Sequence, residues 1–140
     1  MNESLLRFKN KQKYLIFDYE TCNLNLSCHK NKPWQLGFIT SCGAKIENKI
    51  ELYIKWDDLN ISEDAKKITG FSQKTYDKKK QDARKCLDVF EKYFYDPSYL
   101  IIGHNILGFD VYMHNIHRIL CGLKSDYSYM DRVIDTNCIA

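Results

Sequence analysis

Apolar residues along the chain fall in short runs divided by polar turns, and the spacing within those runs shifts between strand and helix periods. The run Tyr14-Leu-Ile-Phe predicts a strand near 13 to 20. Trp34-Gln-Leu-Gly-Phe-Ile-Thr-Ser and the stretch from Ile46 to Trp56 predict two more, with Gly43 in a connection short enough for an antiparallel meander. Ser62-Glu-Asp-Ala-Lys-Lys-Ile reads as a capped short helix stopped by Gly70. A longer helix is expected from about Lys79 to Tyr95, with Ala83, Cys86, Leu87, Phe90 and Phe94 on one face and Pro97 just beyond it. Tyr99 to Gly103 is a buried strand, Asp110 to Leu120 a helix ended near Gly122, and Arg132 to Thr136 a last strand. Strands first, then helix, strand, helix, strand, imply an α/β fold: a mixed five-stranded sheet flanked by helices, its later strands parallel through right-handed crossovers.

Composition narrows this picture. At 140 residues and 44% hydrophobic, the chain suits one domain with its own core. It divides into a basic arm over 1–12 and a single domain over 13–140. A net charge of +3 permits a nucleic-acid partner without demanding one; Arg7, Lys9, Lys11 and Lys13 either lie near phosphates or form a solvated tail. No apolar run reaches membrane-spanning length and no signal-peptide core is present, so a soluble, cytoplasmic protein is expected. The six cysteines lack a Cys-x-x-Cys pair and read as reduced thiols. Cys22, Cys28 and His29 sit close together, but no fourth zinc ligand accompanies them.

The chemistry starts at Asp18 and Glu20. Two positions apart on a strand, they share a face and leave a rigid platform in the same direction. Acids at a strand end often only meet water. If held together, however, they repel, and a hard divalent ion with oxygen ligands makes use of both charges. A second segment has the same design, an apolar strand followed by polar residues: Tyr99-Leu-Ile-Ile-Gly-His104-Asn105-Ile-Leu-Gly-Phe109-Asp110. If the first and fourth strands pair, Asp18, Glu20 and Asp110 meet at one edge of the sheet.

Asp18-Tyr-Glu20-Thr21 and His104-Asn105-Ile-Leu-Gly-Phe109-Asp110 resemble the first and second motifs of the DEDD superfamily of 3′-to-5′ exonucleases, which includes polymerase proofreading domains and DnaQ-like subunits. Ile61 to Ser72, with its Ile-Thr-Gly70, and Val133-Ile-Asp135-Thr136 are similar to two further segments of that superfamily, in the same order. The resemblance implies a ribonuclease H-like fold and a phosphodiesterase using two divalent cations, Mg²⁺ or Mn²⁺, about 4 Å apart. Asp18 would bridge both ions, Glu20 would hold the ion carrying the attacking water, and Asp110 the ion nearer the leaving oxygen. Thr21 and Leu24 fall where the family grips the terminal nucleotide, although a turn residue and a core leucine are equally open readings. Asn105 is expected to fix its loop, and Phe109 either stacks on a base or joins the core. His114 and His117, on the predicted helix, read as structural.

The family's third motif, His or Tyr followed four residues later by Asp, is missing. Tyr127/Asp131 has the spacing but precedes the Asp135 strand in a polar loop. The simplest expectation is that the chain stops at Ala140, before the helix carrying that motif, so that part of one sheet face is uncovered and turnover by the isolated chain is slow or nil. The implied partner is the 3′ end of a single-stranded nucleic acid, DNA ahead of RNA, with a polymerase domain in the same or another chain. An RNA exonuclease and a nonenzymatic single-strand-binding module are the alternatives.

Overall fold

The structure, a computed structural model, describes residues 11–23 and 31–139. Strands β1 (Lys13–Thr21), β2 (Pro33–Cys42) and β3 (Lys45–Lys55) form the expected meander. Helices α1 (Glu63–Thr69) and α2 (Gln73–Lys79) follow, then β4 (Lys80–Asp82), α3 (Ala83–Phe94), β5 (Tyr99–Gly103), α4 (Asp110–Leu120) and β6 (Val133–Asp135). The sheet order is β4-β3-β2-β1-β5-β6, with β5 parallel to both β1 and β6.

Among the described residues the sheet therefore has six strands rather than five, and the helix expected from Lys79 begins only at Ala83. Two local caps explain the break. The Ser72 side chain accepts the Thr75 N–H and starts α2, while the Asp82 side chain accepts the Lys85 N–H and starts α3. Between them Lys80, Gln81 and Asp82 extend and pair in parallel with Tyr53, Ile54 and Lys55, which gives their backbone groups partners that a helix end would lack. Tyr76 holds α2 in place by donating to the Ile54 carbonyl (2.8 Å) and accepting the Trp56 N–H (3.2 Å). Elsewhere the caps act as the sequence implies: Ser62 accepts the Ala65 N–H, and Gly70 closes α1 at φ 67°.

Alternation along β1 assigns the two sides of the sheet. Leu15, Phe17 and Tyr19 are buried on the side covered by α3 and α4. There Phe90 lies 4.8 Å from Phe94, 5.1 Å from Phe17 and 5.4 Å from Phe38, ring centre to ring centre. Each ring taken out of water contributes about 1.5–3 kcal/mol. A second cluster of Cys22, Trp34, Ile61, Ala65 and Tyr76 ties α1 and α2 to the sheet. On the opposite side, register aligns Ile39, Ile16, Ile102 and Ile134 across β2, β1, β5 and β6. Ile16 remains 42% exposed. Beside it a groove of about 550 Å³ is lined entirely by residues of β1, β2 and β3, among them Asp18, Glu20, Gln35, Gly37 and Lys49. A Cβ on Gly37 would meet nothing within 4 Å, so the groove floor is bare backbone there.

No helix among the described residues is long and apolar enough to cross a membrane. Cys42, Cys86, Cys121 and Cys138 are free thiols. Cys28, His29, Leu24 and the arm residues Arg7 and Lys9 lie outside the described residues; within them, the Cys22 sulfur accepts the Lys32 N–H at 3.0 Å.

Candidate active site

Asp18 is exposed and Glu20 half-buried on the open side of β1, with Tyr19 between them pointing into the core. The β1–β5 pairing ends at Ile16 and Ile102, and the chain then turns. Gly103 is required at that turn, because a Cβ would overlap the Ile106 side chain and press on the Phe17 carbonyl. Asp135, at the end of β6, brackets the following loop. Its Oδ1 accepts the Asn105 N–H (2.8 Å) and the Asn137 N–H (2.9 Å), and its Oδ2 accepts the Leu107 N–H (3.0 Å). These three donors hold its carboxyl below the usual range against the opposing effect of burial. Asn105 takes the left-handed backbone conformation, φ 56°, that an Asn tolerates, and its carbonyl accepts the Gly108 N–H.

The bracketed loop delivers Asp110 as the first residue of α4. Asp110 is 1% exposed, and its Oδ1 accepts the Tyr19 N–H at 2.8 Å. The Asp110 carboxylate is therefore bound to the backbone of the residue between Asp18 and Glu20, close enough to feel both charges. Burial pushes Asp110 up to about 7; the Tyr19 N–H opposes this, and the charges of Asp18 and Glu20 add to it. Burial also raises Glu20, with the Asp18 charge adding, and raises Asp18. Among the described residues no lysine, arginine or histidine forms an ion pair with any of the three. Among those residues no three or more His, Cys, Asp or Glu side chains are placed so that they could hold a metal ion together. An all-oxygen set with excess negative charge, no competing cation and a second oxygen on each acid fits a hard divalent ion.

The other expected residues divide. Thr21 is buried and donates to the Asn23 carbonyl at 2.8 Å, which makes it part of a turn. Asn105 shapes its loop, as expected. Phe109 is half-buried against the main core. His104 is exposed, with its Nδ1 3.0 Å from the Thr136 hydroxyl. His114 and His117 are both buried, and the acidic partner of His114 is Glu91, whose Oε1 lies 2.9 Å from its Nε2. Glu91 also accepts from Arg118. That cluster of α3 and α4 was not visible in the sequence, where the residues are more than twenty positions apart. Tyr127/Asp131 is at the wrong end of the sheet. The neighbouring Arg132 donates to the carbonyls of Phe94, Asp96 and Tyr99, pinning this loop at the start of β5, whereas the carboxylates gather at its finish.

This arrangement of strand, loop and helix is that of a nuclease fold. The chain matches the family described as RNase_T, Exonuclease, over residues 15–139, and it belongs to that family of the DEDD superfamily. No curated protein sequence matches it. Product-bound exonuclease I superposes with a TM-score of 0.79 at 19% identity, over 92% of this chain and 31% of that one. Escherichia coli exonuclease I in complex with a dT13 oligonucleotide gives 0.75 at 20% identity, over 89% and 28%. An ExoI/SSB-Ct complex gives 0.76 at 20% identity, again over 89% and 28%. The fold is the ribonuclease H-like fold of exonuclease I, and the chain spans about three-tenths of the length of those proteins.

Proposed function

We propose that this chain carries the metal-binding core of a 3′-to-5′ exonuclease acting on single-stranded DNA. The observation that carries the reading is the Asp110 carboxylate held on the Tyr19 N–H between Asp18 and Glu20. When bound, divalent cations, Mg²⁺ with Mn²⁺ as a substitute, supply activation of water and neutralise charge at the scissile phosphate. Asp18 and Glu20 present their oxygens from a strand fixed by its buried face. Asp110 keeps one oxygen on the backbone and would offer the other; burial pushes its carboxyl up to about 7, so a cation taken up there would displace a proton to solvent. Thr21, Leu24, Asn105 and Phe109 are the proposed nucleotide-facing positions, with Thr21 and Asn105 acting through the turns they stabilise. The structural neighbours, exonuclease I with bound product and in complex with a dT13 oligonucleotide, favour a dedicated single-strand exonuclease over a polymerase proofreading unit, and DNA over RNA.

End-labelled single strands incubated with Mn²⁺ test this. The expected result is a ladder shortening from the 3′ end that Asp18→Asn abolishes; activity surviving that substitution refutes the site. Matched RNA strands decide between the two substrates. Binding without turnover, unchanged by Asp110→Asn, supports a nonenzymatic single-strand-binding module instead, the alternative motivated by the missing third motif.

A further inference from the structure

Tyr19 occupies the gap between the two β1 acids, and both of its hydrogen-bond donors are committed to α4. Its backbone N–H reaches Asp110, and its phenol reaches the Nδ1 of His117 at 3.1 Å. The other ring nitrogen of His117, Nε2, lies 2.8 Å from the carbonyl of Ala83, the first residue of α3. A carbonyl only accepts, so Nε2 carries the proton. Burial lowers the imidazole to about 4, so the ring is neutral and Nδ1 is a bare acceptor. The direction of the chain is thereby fixed: the Tyr19 O–H donates to His117, and His117 donates to Ala83. The edges of Phe90 and of the His117 ring pack at 6.3 and 6.0 Å from the Tyr19 ring centre, which confines the phenol.

Asp110 and His117 are seven residues apart on one helix, two turns or about 10 Å. A helix joined to a strand by one contact can pivot about it. Joined at two points two turns apart, both on the same strand residue, it cannot. Resting on the metal-site reading above, we propose that Tyr19 and His117 are positioning residues that hold the α4 carboxylate beside the strand of the two β1 carboxylates, so that less of the ligand set has to be brought together when a cation binds. Neither residue touches the cation. Their effect is on how closely the oxygens are placed before binding.

Manganese titration of the full chain, followed by electron paramagnetic resonance, tests the proposal. Tyr19→Phe removes only the hydroxyl, and its Mn²⁺ dissociation constant is expected to rise roughly 10-fold, the scale on which partners behind metal ligands act. His117→Leu is expected to weaken binding similarly, and the double variant no further than either single, since both break one connection. His117→Gln, whose amide can accept from the phenol and donate to Ala83, is expected to restore most of the affinity. Tyr76→Phe is the control: it deletes another buried phenol hydroxyl, this one donating to the Ile54 carbonyl at 2.8 Å in the second cluster. It should lower Tm and leave Mn²⁺ affinity unchanged. Equal effects of Tyr19→Phe and Tyr76→Phe, or wild-type affinity in Tyr19→Phe, overturn the positioning role alone. Absence of Mn²⁺ binding that depends on Asp18 in the wild-type chain overturns the metal reading and takes this inference with it.

Discussion

The two sides of the sheet differ in what they are made of. The covered side is a mosaic of aromatic rings, with Phe17, Tyr19, Phe38, Phe90 and Phe94 packed under α3 and α4. The open side carries an isoleucine row and the two β1 acids beside a groove. One strand serves both, because its side chains alternate. Rigidity enters β1 from the buried side, so nothing on the other side need neutralise Asp18 and Glu20 in order to hold them. A loop-borne pair of acids would need basic partners to stay ordered, and those partners would compete with a metal.

Substitutions chosen on each side break or sharpen that contrast. Phe90→Ala, on the covered side, is expected to cost about 3–5 kcal/mol, read as a lower denaturant midpoint. Asp18→Asn, on the open side, should cut nuclease activity by roughly 10²–10³ while leaving the denaturant midpoint close to wild type, the reverse profile. A large loss of stability there would show that the acids belong to the fold. The third prediction concerns Asp110, which lies between the sides. Its native value of about 7 exceeds its unfolded one, so the native state holds the proton more tightly. The stability it contributes is full below about pH 4 and lost as pH rises through about 7. The cation-free protein should therefore lose Tm between pH 5 and 8 by ~3 °C or more relative to Asp110→Asn, and Mg²⁺ at pH 8 should recover it. Identical pH profiles for the two proteins would remove Asp110 as the cause. The smallest effect is expected from Ile16→Thr: within about 0.5 kcal/mol in stability, with less self-association by sedimentation if the open row is sticky.

Local signals were legible in the sequence. The apolar runs of β1 and β5, the Ser62 cap and Gly70 stop of α1, and the start of α4 at Asp110 all stand where their residues imply. The parallel pairing of β1 and β5 does as well, and it is what lets Asp110 reach the β1 backbone at Tyr19. What escaped was carried by partners distant in the chain. The break at Lys80–Asp82 depends on β3 offering an edge, and Lys-Lys-Lys-Gln-Asp has no apolar period to reveal it. Asp135 was quoted as a strand marker, yet its task is to bracket a loop some thirty residues earlier. Glu91 gives His114 an acidic partner from a different helix, α3. Tyr127/Asp131, set aside in the sequence because it precedes the Asp135 strand, is indeed tied to the start of β5 through Arg132.

The contact between Asp110 and Tyr19 has one more implication. Past Ile16, β1 has run out of strand neighbour on its β5 flank, and the amide of Tyr19 is met by a side chain where a peptide carbonyl would ordinarily stand. The carboxylate is in effect a one-residue surrogate strand, and unlike a peptide it changes its acceptor strength with charge. The nuclear resonance of that single amide should therefore move as the site gains or loses a proton or a cation, making Tyr19 N–H a built-in reporter of the occupancy of the site next to it.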